Sequence, residues 1–407
     1  MSTEPSSGGT TDQAYRRVPL YAAGFVTAFG AHSIAASLGG YTQHQHASLL
    51  TLGILLAIYD GAEVLLKPVF GWLADRAGPK PVLVGGLLVF TIASAGFVVA
   101  GNPALVGVAR LGQGAGAAAF SPAAGAMIAR LTATTAHGRA FGGYGAWKGI
   151  GYTLGPVLGG VLITVGGYPL LFSVLAMLAL TVAVGAAVVV PAAAPLPRTR
   201  QTVLDLARRL TSTGFLRPTL ALAGATAALA AGVGFLPVIG AAHGLGPLAT
   251  GAVVSALAAS AAVVQPWAGR ARDAGRIGDG VGMAAGLVLA AAGLVLAAVL
   301  PGLAGLLVAA ITIGAGTGLI TPIGFAHLAG TTPAERLGQT MGSAEIGREL
   351  GDAGGPLLVG AIATVSTVSL GMGTLAIPLT LTAAAVIKAA GTTSVAPQHN
   401  RMEMPER

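Results

Sequence analysis

The chain has 407 residues, of which 54% are hydrophobic and 9% charged. An average soluble domain carries roughly 25% charged residues, so composition excludes a water-soluble globular protein. The 63 glycines and 23 prolines sit inside long apolar stretches, where small residues favour close helix packing in lipid rather than disorder. With no cysteine, a disulfide framework, a thiolate metal site and a cysteine nucleophile are all excluded.

A membrane-spanning helix needs about 20 apolar residues to cross a hydrocarbon core of about 30 Å. The polar segment 1–17 carries no A-x-A-like cleavage site before the first apolar run, so the first helix is expected in the mature protein. Six turn signals then divide the uncharged runs into hairpins: Gly39-Gly40, Gly101-Asn102-Pro103, Gly166-Gly167-Tyr168-Pro169, His243-Gly244-Leu245-Gly246-Pro247, Pro301-Gly302 and Ser369-Leu370-Gly371. The predicted spans are 18–38, 49–71, 82–100, 103–131, 140–165, 168–191, 218–241, 248–269, 280–300, 303–330, 338–364 and 371–390. The expected fold is an all-α integral membrane protein of twelve transmembrane helices in two pseudo-symmetric six-helix halves, 18–191 and 218–390. A linker, 192–217, joins them, and tails 1–17 and 391–407 flank them.

Orientation follows from the 22 lysines and arginines. Lys67, Arg110, Lys148 and Arg348 fall inside predicted helices, and the other 18 all fall on one side of the predicted membrane. By the positive-inside rule both termini and the linker are expected in the cytoplasm, with the plasma membrane as location. The formal charge of +8 thus reflects insertion and not nucleic-acid binding.

An offset of 200 residues lays Gly114, Gly116 and Ser121-Pro122 over Gly314, Gly316 and Thr321-Pro322. The same offset lays Gly138, Gly142, Lys148, Gly151, Gly155, Pro156 and Gly160 over Gly338, Gly342, Arg348, Gly351, Gly355, Pro356 and Gly360. At 198, Lys67-Pro68, Gly71 and Asp75 meet Gln265-Pro266, Gly269 and Asp273. Such a duplication places a binding site between the halves.

Helix two ends Gly71-Trp72-Leu73-Ala74-Asp75-Arg76-Ala77-Gly78-Pro79-Lys80, which resembles the loop signature of the major facilitator superfamily, with Pro79 where that family usually has a base. Arg110, Gln113, Gly114 and Gly116, and the run Gly151-x-x-x-Gly155-Pro156-x-x-Gly159-Gly160, resemble motifs of its drug and metabolite proton antiporters. The resemblance implies a cytoplasmic latch at the first motif that holds an outward-open state, an arginine for proton transfer or anion binding at Arg110, and export. Lys148, beside Trp147 in helix five, departs from the exporter pattern. On physical grounds Asp75 is placed to bond a facing helix N-terminus or a loop arginine in one conformation only. Gly151, Gly155 and Gly159 present a bare stripe for another helix, and Pro156 removes one backbone bond.

Nine ionisable residues lie at membrane depth: Asp60, Glu63, Lys67, Arg110, Lys148, Glu345, Arg348, Glu349 and Asp352. At roughly 2.5–3.5 kcal/mol each they must face partners or water. Steps of 3, 4 and 7 hold Asp60, Glu63 and Lys67 on one face of helix two, and Glu345, Arg348, Glu349 and Asp352 on one face of helix eleven. Glu63 with Lys67 and Arg348 with Asp352 are the expected i,i+4 pairs. Five acids against four bases leave at least one carboxyl uncompensated, a motive for proton coupling.

His32 and His327 are candidates to titrate near neutrality, and His44-Gln45-His46 holds too few nitrogens for zinc, so neither metal nor cofactor is expected. No phosphate-binding loop, dinucleotide fingerprint or hydrolase elbow occurs, so an enzyme is not expected. The reading is a monomeric secondary transporter in a lipid bilayer that exchanges a small organic molecule against protons by alternating access. Proton-coupled uptake of an anionic metabolite is the alternative, and a non-transporting receptor on the same fold is the third.

Overall fold

The computed structural model describes residues 8–44, 49–193, 208, 210–300 and 302–392. The helices are α1 (Gly8–His44), α2 (Leu49–Ala77), α3 (Pro79–Val99) and α4 (Pro103–Arg130). A long helical run, His137–Val189, breaks at Gly166 and Gly167, the latter with φ of 71°, into α5 (137–165) and α6 (168–189). Then follow α7 (Thr213–Ala242), α8 (Pro247–Asp273), α9 (Asp279–Val299), α10 (Gly302–Thr331), α11 (Leu337–Val365) and α12 (Val368–Thr392). No strand occurs among the described residues, as expected where backbone polar groups must pair inside their own segment.

Hydropathy measures the membrane crossing and not the helix, and four boundaries show it. The first helix begins at Gly8, well before the predicted 18, because polar residues continue a helix beyond the membrane plane. It also runs through Gly39-Gly40 to His44; in lipid a glycine without a second breaker costs about 1 kcal/mol and the helix absorbs it. The last turn lies at Ser366, not at Ser369-Leu370-Gly371, because Thr367 Oγ1 accepts the Leu370 N–H at 3.1 Å and caps the first turn of α12. α7 starts at Thr213, which puts Pro218 inside it. Arg198, Arg200, Arg209, Arg401, Arg407 and His46 lie outside the described residues, as do the side chains of His44, Pro156 and Lys388.

Seven segments, among them α3, α7, α9 and α12, are long and apolar enough to cross a membrane on those criteria alone. The helices α2, α4 and α11, which carry ionisable residues at depth, are not among them. Outward-facing Ile92, Val99, Val188, Val263 and Leu381 give the lipid its apolar surface.

Packing repeats between the halves. α1 lies on α5, α2 on α4 and α3 on α4; correspondingly, α7 lies on α11, α8 on α10 and α9 on α10. The halves meet where α2 packs on α11 and α5 on α8. A Cβ on Gly151 would sit 2.7 Å from the Phe25 carbonyl oxygen, and one on Gly351 would overlap that of Ala223, 198 residues further along. Gly155 and Gly159 continue this approach to α1, but Gly160 faces open space and takes no part.

Gly151→Ala therefore overpacks a backbone contact worth about 1–3 kcal/mol and lowers the thermal midpoint of the detergent-purified protein by several degrees. Gly160→Ala leaves the midpoint unchanged or slightly raised, as scanning fluorimetry on both variants would register.

Candidate functional site

The inward faces of α2 and α11 meet at Lys67. Its Nζ lies 2.5 Å from Glu63 Oε2 on its own helix, 2.5 Å from Glu349 Oε1 across the interface and 3.7 Å from Glu345 Oε2. Lys67 is 2% exposed, so the ammonium exchanges its water for three carboxylates. Arg348 Nη1 lies 3.3 Å from both oxygens of Glu345. The expected Arg348–Asp352 pair is not formed, because the guanidinium turns toward Glu345, one turn nearer the basic end. Glu63 pairs with Lys67 as its spacing predicts.

Exposure rises steadily away from the basic end. Glu63, Lys67 and Glu345 are buried, Arg348 and Glu349 are half-buried, and Asp60 and Asp352 are exposed. The last two line a polar cavity of about 90 Å³ with Thr27, His32, Tyr59, Tyr152 and Lys148, and the ion-paired Glu63, Lys67 and Glu349 line it too. Neither Asp60 nor Asp352 has a cation within 4 Å among the described residues. Lys148 reaches the cavity from α5, 5.8 Å from the centre of the Tyr144 ring.

Arg110 lies behind Tyr59, its Cζ 4.4 Å from the ring centre and its Nε 3.3 Å from the Leu55 carbonyl oxygen, while Nη1 is buried without a partner. Gln113 donates to Ser94 Oγ at 2.9 Å, away from the cavity. His32 stacks edge-on against Tyr152 at 4.4 Å, and His327 contacts Asp279 at 2.8 Å near the basic end.

The basic end is closed by two related contacts. Asp75 Oδ1 and Oδ2 accept the backbone N–H groups of Gly338 and Gln339, at 2.7 and 2.8 Å, at the start of α11. Asp273 Oδ1 and Oδ2 accept those of Gly138 and Arg139, at 2.8 and 2.7 Å, at the start of α5. Each carboxylate meets unpaired donors at the positive end of a helix dipole. Arg130 lies 3.7 Å from Asp75, and Arg272 lies 3.4 Å from Asp273. Beneath them the helices touch backbone to backbone: a Cβ on Gly71 would overlap the Gly338 carbonyl oxygen, and one on Gly269 that of Gly138. Gly78 turns the α2–α3 loop with φ of 92°. Arg76 stacks on Trp72 and leaves Asp75 to make the contact, while Lys80 is half-buried in the first turn of α3. Sequence reasoning singled out Asp75 but not Asp273 as a site residue, although the 198-residue offset aligns them. Tyr59 and Tyr152 carried no signal of their own.

Twelve long helices among the described residues, around a polar cavity closed at one end and lined by ionisable residues, define a multi-pass membrane transporter. The family model of the Major Facilitator Superfamily matches residues 20–274 and 219–402, and the chain belongs to that family, whose members are transporters and not enzymes. Among relatives, it is 36% identical over 152 residues to the multidrug resistance protein B homolog of Mycobacterium tuberculosis, which is 37% of this chain and 27% of that protein. It is 40% identical over 112 residues to the class C tetracycline resistance protein of Escherichia coli, 27% of this chain and 28% of that one. The matched segments thus span less than a third of either relative. The crystal structure of the human organic anion transporter MFSD10 (TETRAN) superposes with a TM-score of 0.75 at 16% identity, covering 94% of this chain and 100% of that one.

Removing the charge at the centre tests the ion-pair account. Lys67→Met strands buried carboxylates and costs about 3–5 kcal/mol, and Glu63→Gln in the same chain recovers part of it. A double-variant loss equal to the sum of the Lys67→Met and Glu63→Gln losses, read as thermal midpoints, would mean that Lys67 and Glu63 do not interact.

Proposed function

We propose that this protein exports a small organic molecule from the cytoplasm in exchange for protons, by rocking its two six-helix halves about the central cavity. The observation that carries the reading is the division of the membrane-depth charges. Lys67 and Arg348 tie up Glu63, Glu345 and Glu349, while Asp60 and Asp352 face the cavity without a cation. On this reading Asp60 and Asp352 bind the proton that the substrate displaces, and Glu63, Glu345 and Glu349 with their cations hold the halves in register. The names of the drug-resistance relatives support export. The bases gathered at one end support a reading in which that end, both termini and the linker lie in the cytoplasm and the protein sits in the plasma membrane. The conformation described is then outward-open, with the cytoplasmic end latched by Asp75 and Asp273, and Arg110 lends positive potential behind Tyr59.

The test uses purified protein in liposomes that enclose a pH-sensitive dye, challenged with organic cations, neutral amphiphiles and carboxylates across an imposed pH gradient. Substrate-driven proton flux in the opposite direction is expected, falling at least tenfold in Asp60→Asn or Asp352→Asn. Flux in the same direction as a carboxylate would replace export with uptake, and amides with unchanged flux would remove both aspartates from coupling.

The latch reading has its own consequence. The chain has no native cysteine, so Ala31→Cys offers one thiol on the cavity wall. A membrane-impermeant thiol reagent added from the outside is expected to label it. Asp75→Asn and Asp273→Asn, each weakening a pair of charge-assisted hydrogen bonds worth about 1.5–3 kcal/mol apiece, both slow that labelling several-fold. An effect from Asp75 alone would mean that the second contact is only structural.

A further inference from the structure

The cavity is electrically two-sided. On the α5 wall, Lys148 is 8% exposed, lines the cavity and makes no ion pair within 4 Å among the described residues. Glu345 attracts it from beyond 4 Å but is shared with Arg348 at 3.3 Å and Lys67 at 3.7 Å, so the Lys148 charge is only partly compensated. Tyr144 and Tyr152 flank the ammonium, and Arg348 adds a second positive charge in its electrostatic range. On the α2 and α11 sides of the cavity, Asp60 and Asp352 are exposed and have no cation within 4 Å among the described residues. A buried ammonium with no anion costs several kcal/mol, and a ligand that supplies one removes that cost.

Resting on the transport reading above, we infer that the substrate is zwitterionic: its anionic group binds Lys148 on the α1–α5 side and its cationic group binds Asp60 and Asp352 on the α2–α11 side. A monocation answers only the aspartates and leaves Lys148 desolvated. A monoanion answers Lys148 but faces two uncompensated carboxylates. A molecule with both charges satisfies both walls at once. Its ammonium occupies the same carboxylates that the proton uses, so substrate and proton exclude each other. The cavity of about 90 Å³ sets the scale. It equals the share of roughly three liquid waters and lies well below the roughly 300–1,000 Å³ of a drug-sized site, so it grips charged ends and not a bulky apolar body.

The experiment uses the full-length protein in nanodiscs and three amino acids of increasing charge separation, glycine, 4-aminobutanoate and 4-(aminomethyl)benzoate. Each is compared with its methyl ester, which keeps only the cation, and its N-acetyl form, which keeps only the anion. Binding is read by isothermal calorimetry, and transport by proton flux in liposomes. At least one zwitterion is expected to bind ten times more tightly than both of its singly charged forms. Lys148→Gln is expected to lose that preference and to bind the methyl ester several-fold more tightly than the parent does, a gain that misfolding cannot produce. Lys148→Arg restores the preference. A methyl ester that binds and exchanges for protons equally well in the parent and in Lys148→Gln would overturn the inference while leaving proton-coupled export intact. Failure of all three zwitterions to bind would also overturn it.

Discussion

Lys67 holds the molecule together at the point where lipid permits least error. Its ammonium is enclosed by Glu63 from its own helix and by Glu349 and Glu345 from the other half. Breaking such a cluster at one partner strands charge in a low-dielectric interior, whereas keeping it intact fixes how α2 lies on α11. The crossing of those helices, the approach of Gly71 to Gly338 and the reach of Asp75 to the start of α11 all require that register. The same cluster spends the cations available on α2 and α11, and so decides which acids remain for the cavity.

The duplicated halves repeat a backbone geometry but not a chemistry. Asp75 and Asp273 cap opposite helices with nearly the same distances, and the glycine pairs beneath them recur at the same offsets. Yet the residue aligned with Lys67 is Gln265, whose Oε1 is buried without a partner. Away from Asp273 the α5–α8 interface is therefore a close-packed seam with no ion pair at membrane depth among the described residues, and the α2–α11 interface is a charged one. A rocking motion about two such seams has a smooth side and a side whose ion pairs must stay matched. That asymmetry places the titratable acids of the cavity on a single wall.

Much of this was legible before any coordinates. The uncharged runs gave twelve crossings, and the helical spacing of Asp60, Glu63 and Lys67 already put them on one face. The reach of Asp75 to a helix N-terminus was one of two partners expected from its place just beyond the predicted span 49–71. The pairing across the interface was not legible: Lys67 and Glu349 stand 282 positions apart, and nothing local distinguishes Glu349 from Asp352 as the partner. The choice of Glu345 over Asp352 by Arg348 depends on how α11 is rotated against α2, a rotation set by backbone contacts between glycines. Turns read from glycine alone failed where lipid stabilised the helix, at Gly39-Gly40. One capped by a threonine hydroxyl was displaced toward Ser366.

The distribution of charge also explains why such a cavity would couple its two occupants. Closing the open end removes water from Asp60, Asp352 and Lys148 together, and each bare charge then carries a desolvation cost of several kcal/mol. An empty, fully ionised cavity therefore resists occlusion, whereas one whose acids hold protons, or whose acids and lysine are both answered by a ligand, does not. A ligand shifts the balance between the two conformations only by its differential affinity for them, and neutralising desolvated charge supplies that difference without any new apolar contact. Under the proposed exchange, protons and substrate would each license the same conformational change from opposite sides of the membrane. Neither could be carried through by an unoccupied protein, and leak is suppressed by the same electrostatics that bind the cargo.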